Sequence, residues 1–156
     1  MSFKGLDPVR FGTLSMVTAT LGDNDPEVGT TVSDGGLEYV FVYNAGGEQI
    51  DPGYGCVPNS ASAGFSVTVS AVTSVDFCQG VAYHATLTTD TYGWVVTKGV
   101  VPVECADGCA ALDLIECGAN GTMAPVSNVT GHLSPVVGKA LAAIASGASG
   151  NAYIRC

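Results

Sequence analysis

Apolar and polar positions alternate with a period of two along much of this chain, and helical periodicity is scarce. Over residues 65–72, one face carries Phe65, Val67, Val69 and Ala71, and the other carries Ser66, Thr68 and Ser70. That alternation predicts a half-buried strand. Residues 81–88 repeat it, with Val81, Tyr83, Ala85 and Leu87 set against Ala82, His84, Thr86 and Thr88. Residues 37–43, LEYVFVY, are apolar on both faces, which suits a central strand or one covered by another chain.

Turn signals punctuate these runs. Asn44-Ala45-Gly46-Gly47 closes one strand, and Asp51-Pro52-Gly53 puts Pro and Gly where a type II turn wants them. Asp90-Thr91-Tyr92-Gly93 and Gly118-Ala119-Asn120-Gly121 each separate two further strands. Gly99, between Trp94–Thr97 and Val100–Val103, predicts a bulge or corner. Residues 137–146 have the composition of a short helix, but the following Gly147-Ala148-Ser149-Gly150 and Ala152-Tyr153-Ile154 favour a closing hairpin. The count is eight to ten short strands, so the expected fold is all-β: one small β-sandwich or β-barrel domain over residues 34–156. No internal repeat is visible in the sequence.

Residues 1–33 differ. They hold Lys4 and Arg10, few strand signals, and the acidic stretch Gly22-Asp23-Asn24-Asp25-Pro26-Glu27. Phe3, Leu6, Val9, Phe11 and Leu14 are apolar anchors that a solvated leader rarely carries, so the segment is expected to be an extended N-terminal arm that orders on a partner.

Composition narrows the function classes. Among 156 residues only 12% are charged, with 5 Lys plus Arg against 14 Asp plus Glu and a net charge of -9. Clustered cations for phosphate are missing, which argues against nucleic acid as a partner. With 47% apolar residues and a mean hydropathy of +0.36, the chain either buries most of its surface or hides part of it against other chains. No apolar run reaches the length of a membrane span, and residues 1–8 lack the pattern of a signal peptide. A soluble protein made in a cytosol is expected.

Candidate chemistry is sparse. The two histidines, His84 and His132, read as solvated surface residues, and no nucleophile-plus-base, zinc-protease or P-loop motif occurs. Asp23, Asp25 and Glu27 begin like a calcium loop, but Val28 and Asp34 stand where that loop needs Gly and Glu. The sequons at Asn120 and Asn128 carry no weight without secretion. The six cysteines read either as free buried hydrophobes or as including a disulfide, first among them Cys105 with Cys109 or Cys117. Zinc is disfavoured because those three lack a CxxC knuckle and a nearby His. The expectation is a protein that is not an enzyme and has no cofactor or metal.

Residues 16–22 (MVTATLG), 39–44 (YVFVYN), 80–82 (GVA) and, most specifically, 92–99 (YGWVVTKG) resemble head-decoration, or cement, and related structural proteins of tailed bacteriophages. The closing Val137-Gly138-Lys139-Ala140-Leu141 and Ala152-Tyr153-Ile154 fit the same pattern, so the resemblance covers most of the chain from residue 16. It implies a virion protein on the outer capsid surface, made in the host cytoplasm. Such a protein would commonly be a homotrimer that bridges subunits of the phage major capsid protein. Under that resemblance Phe3, Lys4, Leu6, Arg10 and Phe11 would anchor the arm on the capsid, Lys4 and Arg10 by pairing with carboxylates. Tyr92 and Trp94 are either core aromatics of a hairpin or interface anchors. The competing expectations are a glycan-binding β-sandwich module, with Tyr54, Tyr92 and Trp94 as its aromatics, and a tail or neck component.

Overall fold

A computed structural model describes residues 14–23, 25–59, 64–69, 77–126 and 136–156. The expected arm residues Phe3, Lys4, Leu6, Arg10 and Phe11, and also His132, lie outside the described residues. The fold is all-β, with one short 3-10 turn at Ala119–Gly121 and no α-helix among the described residues. Eleven strands follow in chain order: β1 Val17–Thr18, β2 Thr31–Asp34, β3 Leu37–Asn44, β4 Gly55–Pro58, β5 Ser66–Val69, β6 Gly80–Ala82, β7 Thr91–Cys105, β8 Leu114–Cys117, β9 Met123–Pro125, β10 Gly138–Ala140 and β11 Ala148–Arg155.

Everything is organised around β7, a strand of 15 residues. Its first half pairs antiparallel with β3 and its second half with β11. Hydrogen-bonded neighbours then close two five-membered rings that share β7. One runs β7-β6-β4-β5-β3, and the other runs β7-β9-β8-β10-β11. The handover lies at the predicted irregularity. Glu38 faces Lys98 while Tyr39 faces Val96, so Thr97 is the extra residue of a bulge. Gly99 follows with φ +126, and a Cβ there would run into the Leu37 side chain, so glycine is required.

The two rings repeat one topology. The antiparallel pairs β3–β7, β4–β5, β4–β6 and β6–β7 of the first recur as β7–β11, β8–β9, β8–β10 and β10–β11 of the second. Even the parallel pair β3–β5 recurs as β7–β9. In each ring, two strand connections touch through one isolated bridge, Ile50 with Leu87 and Cys109 with Ile144. The core follows suit. Val40, Val42, Ile50, Cys56, Val67, Ala82, Leu87 and Val95 form the first buried cluster. Their counterparts Val101, Val103, Cys109, Ile115, Met123, Ala140, Ile144 and Ala152 are all buried in the second. A duplication absent from the sequence pattern is therefore explicit in the hydrogen bonding.

Local expectations met different fates. Tyr54 N–H donates to the Asp51 carbonyl across Pro52-Gly53, with Gly53 at φ +91, which is the expected type II turn. The closing segment is the β10–β11 hairpin rather than a helix. The alternation at 81–88, by contrast, yields a strand only over Gly80–Ala82; the chain bends at His84-Ala85, and Leu87 makes only its isolated bridge. The turn expected at 90–93 ends at Asp90, because Thr91, Tyr92 and Gly93 are already in β7 and pair with β3. Upstream, Leu14 is buried in the second cluster and β1 pairs with Tyr92-Gly93, so the chain joins the body from residue 14 onward.

Asn44 is the polar hub of the first ring. Its amide Nδ2 donates to the carbonyls of Glu48 at 2.9 Å and Leu87 at 3.0 Å, while Oδ1 accepts the Gly46 N–H at 3.0 Å. It thereby ties both connections to the end of β3. In the second ring Cys105 takes this place, with its Sγ 2.7 Å from that of Cys109, so Cys109 is the expected disulfide partner that stands within bonding reach, although all six cysteines are free thiols in the structure. Replacing Asn44 with Ala removes its side-chain bonds and leaves the buried Gly46 N–H without its acceptor, while the Leu87 carbonyl keeps the Ile50 N–H. Asn44→Ala is therefore expected to lower unfolding free energy by about 2 kcal/mol in urea titration.

Candidate docking surface

Residues in register on neighbouring strands share a face of the sheet. On the second ring, Val100 faces Tyr153, Tyr153 faces Lys139, and Lys139 faces Leu114. This row crosses β7, β11, β10 and β8. Its apolar members are exposed, at 46% for Val100, 39% for Tyr153 and 51% for Leu114. Leu112, Val136 and Leu141 are exposed as well. A shallow hollow of about 250 Å³ lies in the same surface, lined by Leu114, Val136, Lys139, Tyr153 and Arg155 among others. Isolated exposed apolar residues are ordinary, but three in one row, with Lys139 between Tyr153 and Leu114, make a candidate contact surface.

Charge singles out the same face. Arg155 faces Lys98 one step further along β11 and β7. Lys98, Lys139 and Arg155 are the cations among the described residues, and all three lie on this face of a chain whose net charge is -9. Lys98 is held by Glu38 at 2.6 Å, which raises its pKa; with both side chains exposed, that pair adds little to stability. Glu38 and Glu104 share the face through their register with Lys98 and Ser149, so the surface combines apolar contact with a small excess of positive charge.

Leu112, exposed as well, lies two residues before Leu114. It occupies the place of Gly53 in the repeated topology: Gly53 N–H donates to the Ala82 carbonyl, and Leu112 N–H to the Ala140 carbonyl. Both have positive φ, +91 for the glycine and +73 for the leucine. An exposed leucine thus carries a backbone strain that the first ring avoids, a pattern associated with functional positions.

The aromatic residues distribute differently from the expectation. Trp94 is buried, its ring 5.0 Å from Phe41 at 58°, and its Nε1 has no partner among the described residues. Tyr54 stands elsewhere, against Gly121. Tyr54, Tyr92 and Trp94 therefore do not converge. Tyr92 instead packs 4.6 Å from Tyr43. With Phe65 and Val28 the two line an open hollow of about 250 Å³ on the first ring, where Tyr43 Oη donates to Asp90 Oδ1 at 2.9 Å. Sequence reasoning missed Tyr43 and Phe65, because the β3–β7 register sets Tyr43 opposite Tyr92 and the β3–β5 pairing brings Phe65 alongside Tyr43.

His84 is exposed as expected, yet its Nε2 lies 3.0 Å from the Tyr39 hydroxyl and its ring stacks on that of Tyr39. Burial, with Asp34 and Tyr83 nearby, pushes the Tyr39 phenol up to about 12. Among the described residues no group of three or more His, Cys, Asp or Glu is arranged to hold a metal, and Asp25 Oδ2 accepts the Gly22 N–H.

No family model and no curated protein matches the chain. Among solved structures, the chain is similar to the N-terminal base of the head fibre gp8.5 of bacteriophage phi29. The TM-score is 0.54 at 14% sequence identity, and the match covers 74% of this chain and 93% of that one. The two share a fold.

Two outcomes follow from these environments. Leu112→Gly is expected to stabilise the protein by about 0.5–1 kcal/mol in denaturant titration, because glycine adopts that φ freely. For Tyr39, the folded pKa exceeds the unfolded value, so the contribution is complete below pH 10 and vanishes as pH rises toward 12. Tyr39→Phe should therefore remove about 3 kcal/mol from the alkaline loss of stability over that window, read as a flatter stability curve.

Proposed function

We propose that the protein is a non-enzymatic structural component of a tailed-phage virion, bound to the outer surface of the icosahedral head through the major capsid protein. The observation that carries this reading is the face of Val100, Tyr153, Lys139, Leu114 and Arg155, apolar and positive on an otherwise acidic molecule. The fold shared with a phage head-fibre base supports it, and so does the resemblance of residues 92–99 to decoration proteins. In this reading the remaining negative charge faces solvent and keeps finished particles apart.

Three copies around a threefold position would bridge neighbouring capsid subunits. The segment before Leu14, with Phe3, Lys4, Leu6, Arg10 and Phe11, would add a second contact to each. Linked contacts multiply through effective concentration, so modest individual affinities suffice to oppose the outward pressure of a packaged genome.

The test is to mix the purified protein with undecorated heads, sediment them and count bound copies per capsomer. Stoichiometric binding that raises the heads' disruption temperature is expected. Leu114→Asp combined with Tyr153→Asp should weaken binding by at least 30-fold, on the order of 2 kcal/mol for a central contact, without unfolding the protein. Leu112→Gly should also weaken binding despite its gain in stability. Removal of residues 1–13, which spares buried Leu14, should lower occupancy. Full occupancy by the double variant would defeat the assignment of this face.

A second reading has its own observation, the Tyr43–Tyr92 pair beside Asp90 and Phe65, which offers sugar rings an aromatic platform with a carboxylate. Binding to a glycan array that is lost in Tyr92→Ala, with no binding to heads, would favour it.

A further inference from the structure

Four of the six cysteines gather where the two rings meet, two from each ring. Cys56 is on β4 and Cys78 precedes β6 in the first ring, while Cys117 ends β8 and Cys156 follows β11 in the second. The Sγ atoms of Cys56 and Cys78 each lie 3.4 Å from the Gly80 carbonyl. Cys78 Sγ and Cys156 Sγ are 2.8 Å apart, closer than two unbonded sulfur atoms settle. Both backbones are pinned at this spot: Cys156 N–H donates to the Thr97 carbonyl at 2.8 Å, and Gln79 N–H, next to Cys78, donates to the Cys56 carbonyl at 2.8 Å.

We propose that Cys78 and Cys156 form a disulfide that staples the two rings to each other. The bond would anchor the end of β11 beside the Thr97 bulge, where β7 passes from one ring to the other. Cys156 is exposed and Cys78 buried, which orders the chemistry. The Cys156 thiol loses its proton and attacks one sulfur of a small-molecule disulfide such as oxidised glutathione, expelling one glutathione thiolate. The Cys78 thiolate then displaces the second glutathione from that mixed disulfide. Two protein thiols are oxidised by two electrons, and one oxidised glutathione becomes two reduced molecules. Hydrogen bonding with Cys117 and Cys156, together with burial, holds the Cys78 thiol well above its ordinary range, so Cys78 suits the resolving role rather than the first attack.

The test uses the full chain, purified reduced, and then either equilibrated with oxidised glutathione or kept reduced. Unreduced chymotryptic digests of the oxidised sample should contain one species joining the Cys78 and Cys156 peptides, lighter than their sum by two hydrogens. Oxidation should raise the melting temperature of the wild type by about 10 °C. Cys156→Ser should lose that part of the gain while melting with the wild type when both are reduced. A link from Cys78 to Cys117, a Cys156 that stays free under oxidant, or zinc retained by unlinked thiols would overturn the proposal.

Discussion

The structure depends on the length of one strand. Because β7 runs for 15 residues through a bulge and a glycine, it serves as the last strand of one ring and the first of the next. Val95 illustrates the demand this makes. It pairs with Val40 of β3 and Ala82 of β6, so both of its edges are occupied by backbone and its side chain must fill a core. Val101 and Val103 do the same service for the second ring. Both cores are built outward from alternate residues of a single strand, and the bulge at Thr97 is what lets that strand turn from one to the other.

Much of the architecture is legible in the residue pattern, for a physical reason. Strands with one wet and one dry face write their period into the sequence, as Ala152-Tyr153-Ile154 of β11 does, and two-sided burial writes an unbroken apolar run, as residues 39–43 of β3 do. Turns that need positive φ announce themselves through glycine, as at Gly53 and Gly99. The alternation at 81–88 misleads because small Ala and Thr side chains tolerate bends as readily as strand.

The duplication is invisible in sequence because equivalent positions conserve burial and geometry, not identity. Asn44 has its counterpart in Cys105, Ile50 in Cys109, Val95 in Ala152 and Gly53 in Leu112. The candidate face is hidden for another reason. Val100, Leu114, Lys139 and Tyr153 are scattered over four strands, and each alone is an unremarkable exposed residue. Only strand register assembles them. The same holds for the thiols at the seam, whose sequence spacing suggests no common site, and for Tyr43 and Phe65 beside Tyr92.

A shared strand also changes how the molecule bears load. Two domains on a linker can be pulled apart while each stays folded. Here a force that separates one ring from the other runs along the backbone of β7 itself, and the hydrogen bonds flanking it are loaded in shear, many at once. Neither half can come away without both losing a wall. A body of this kind behaves mechanically as a single rivet of two lobes, rigid under tension at either end.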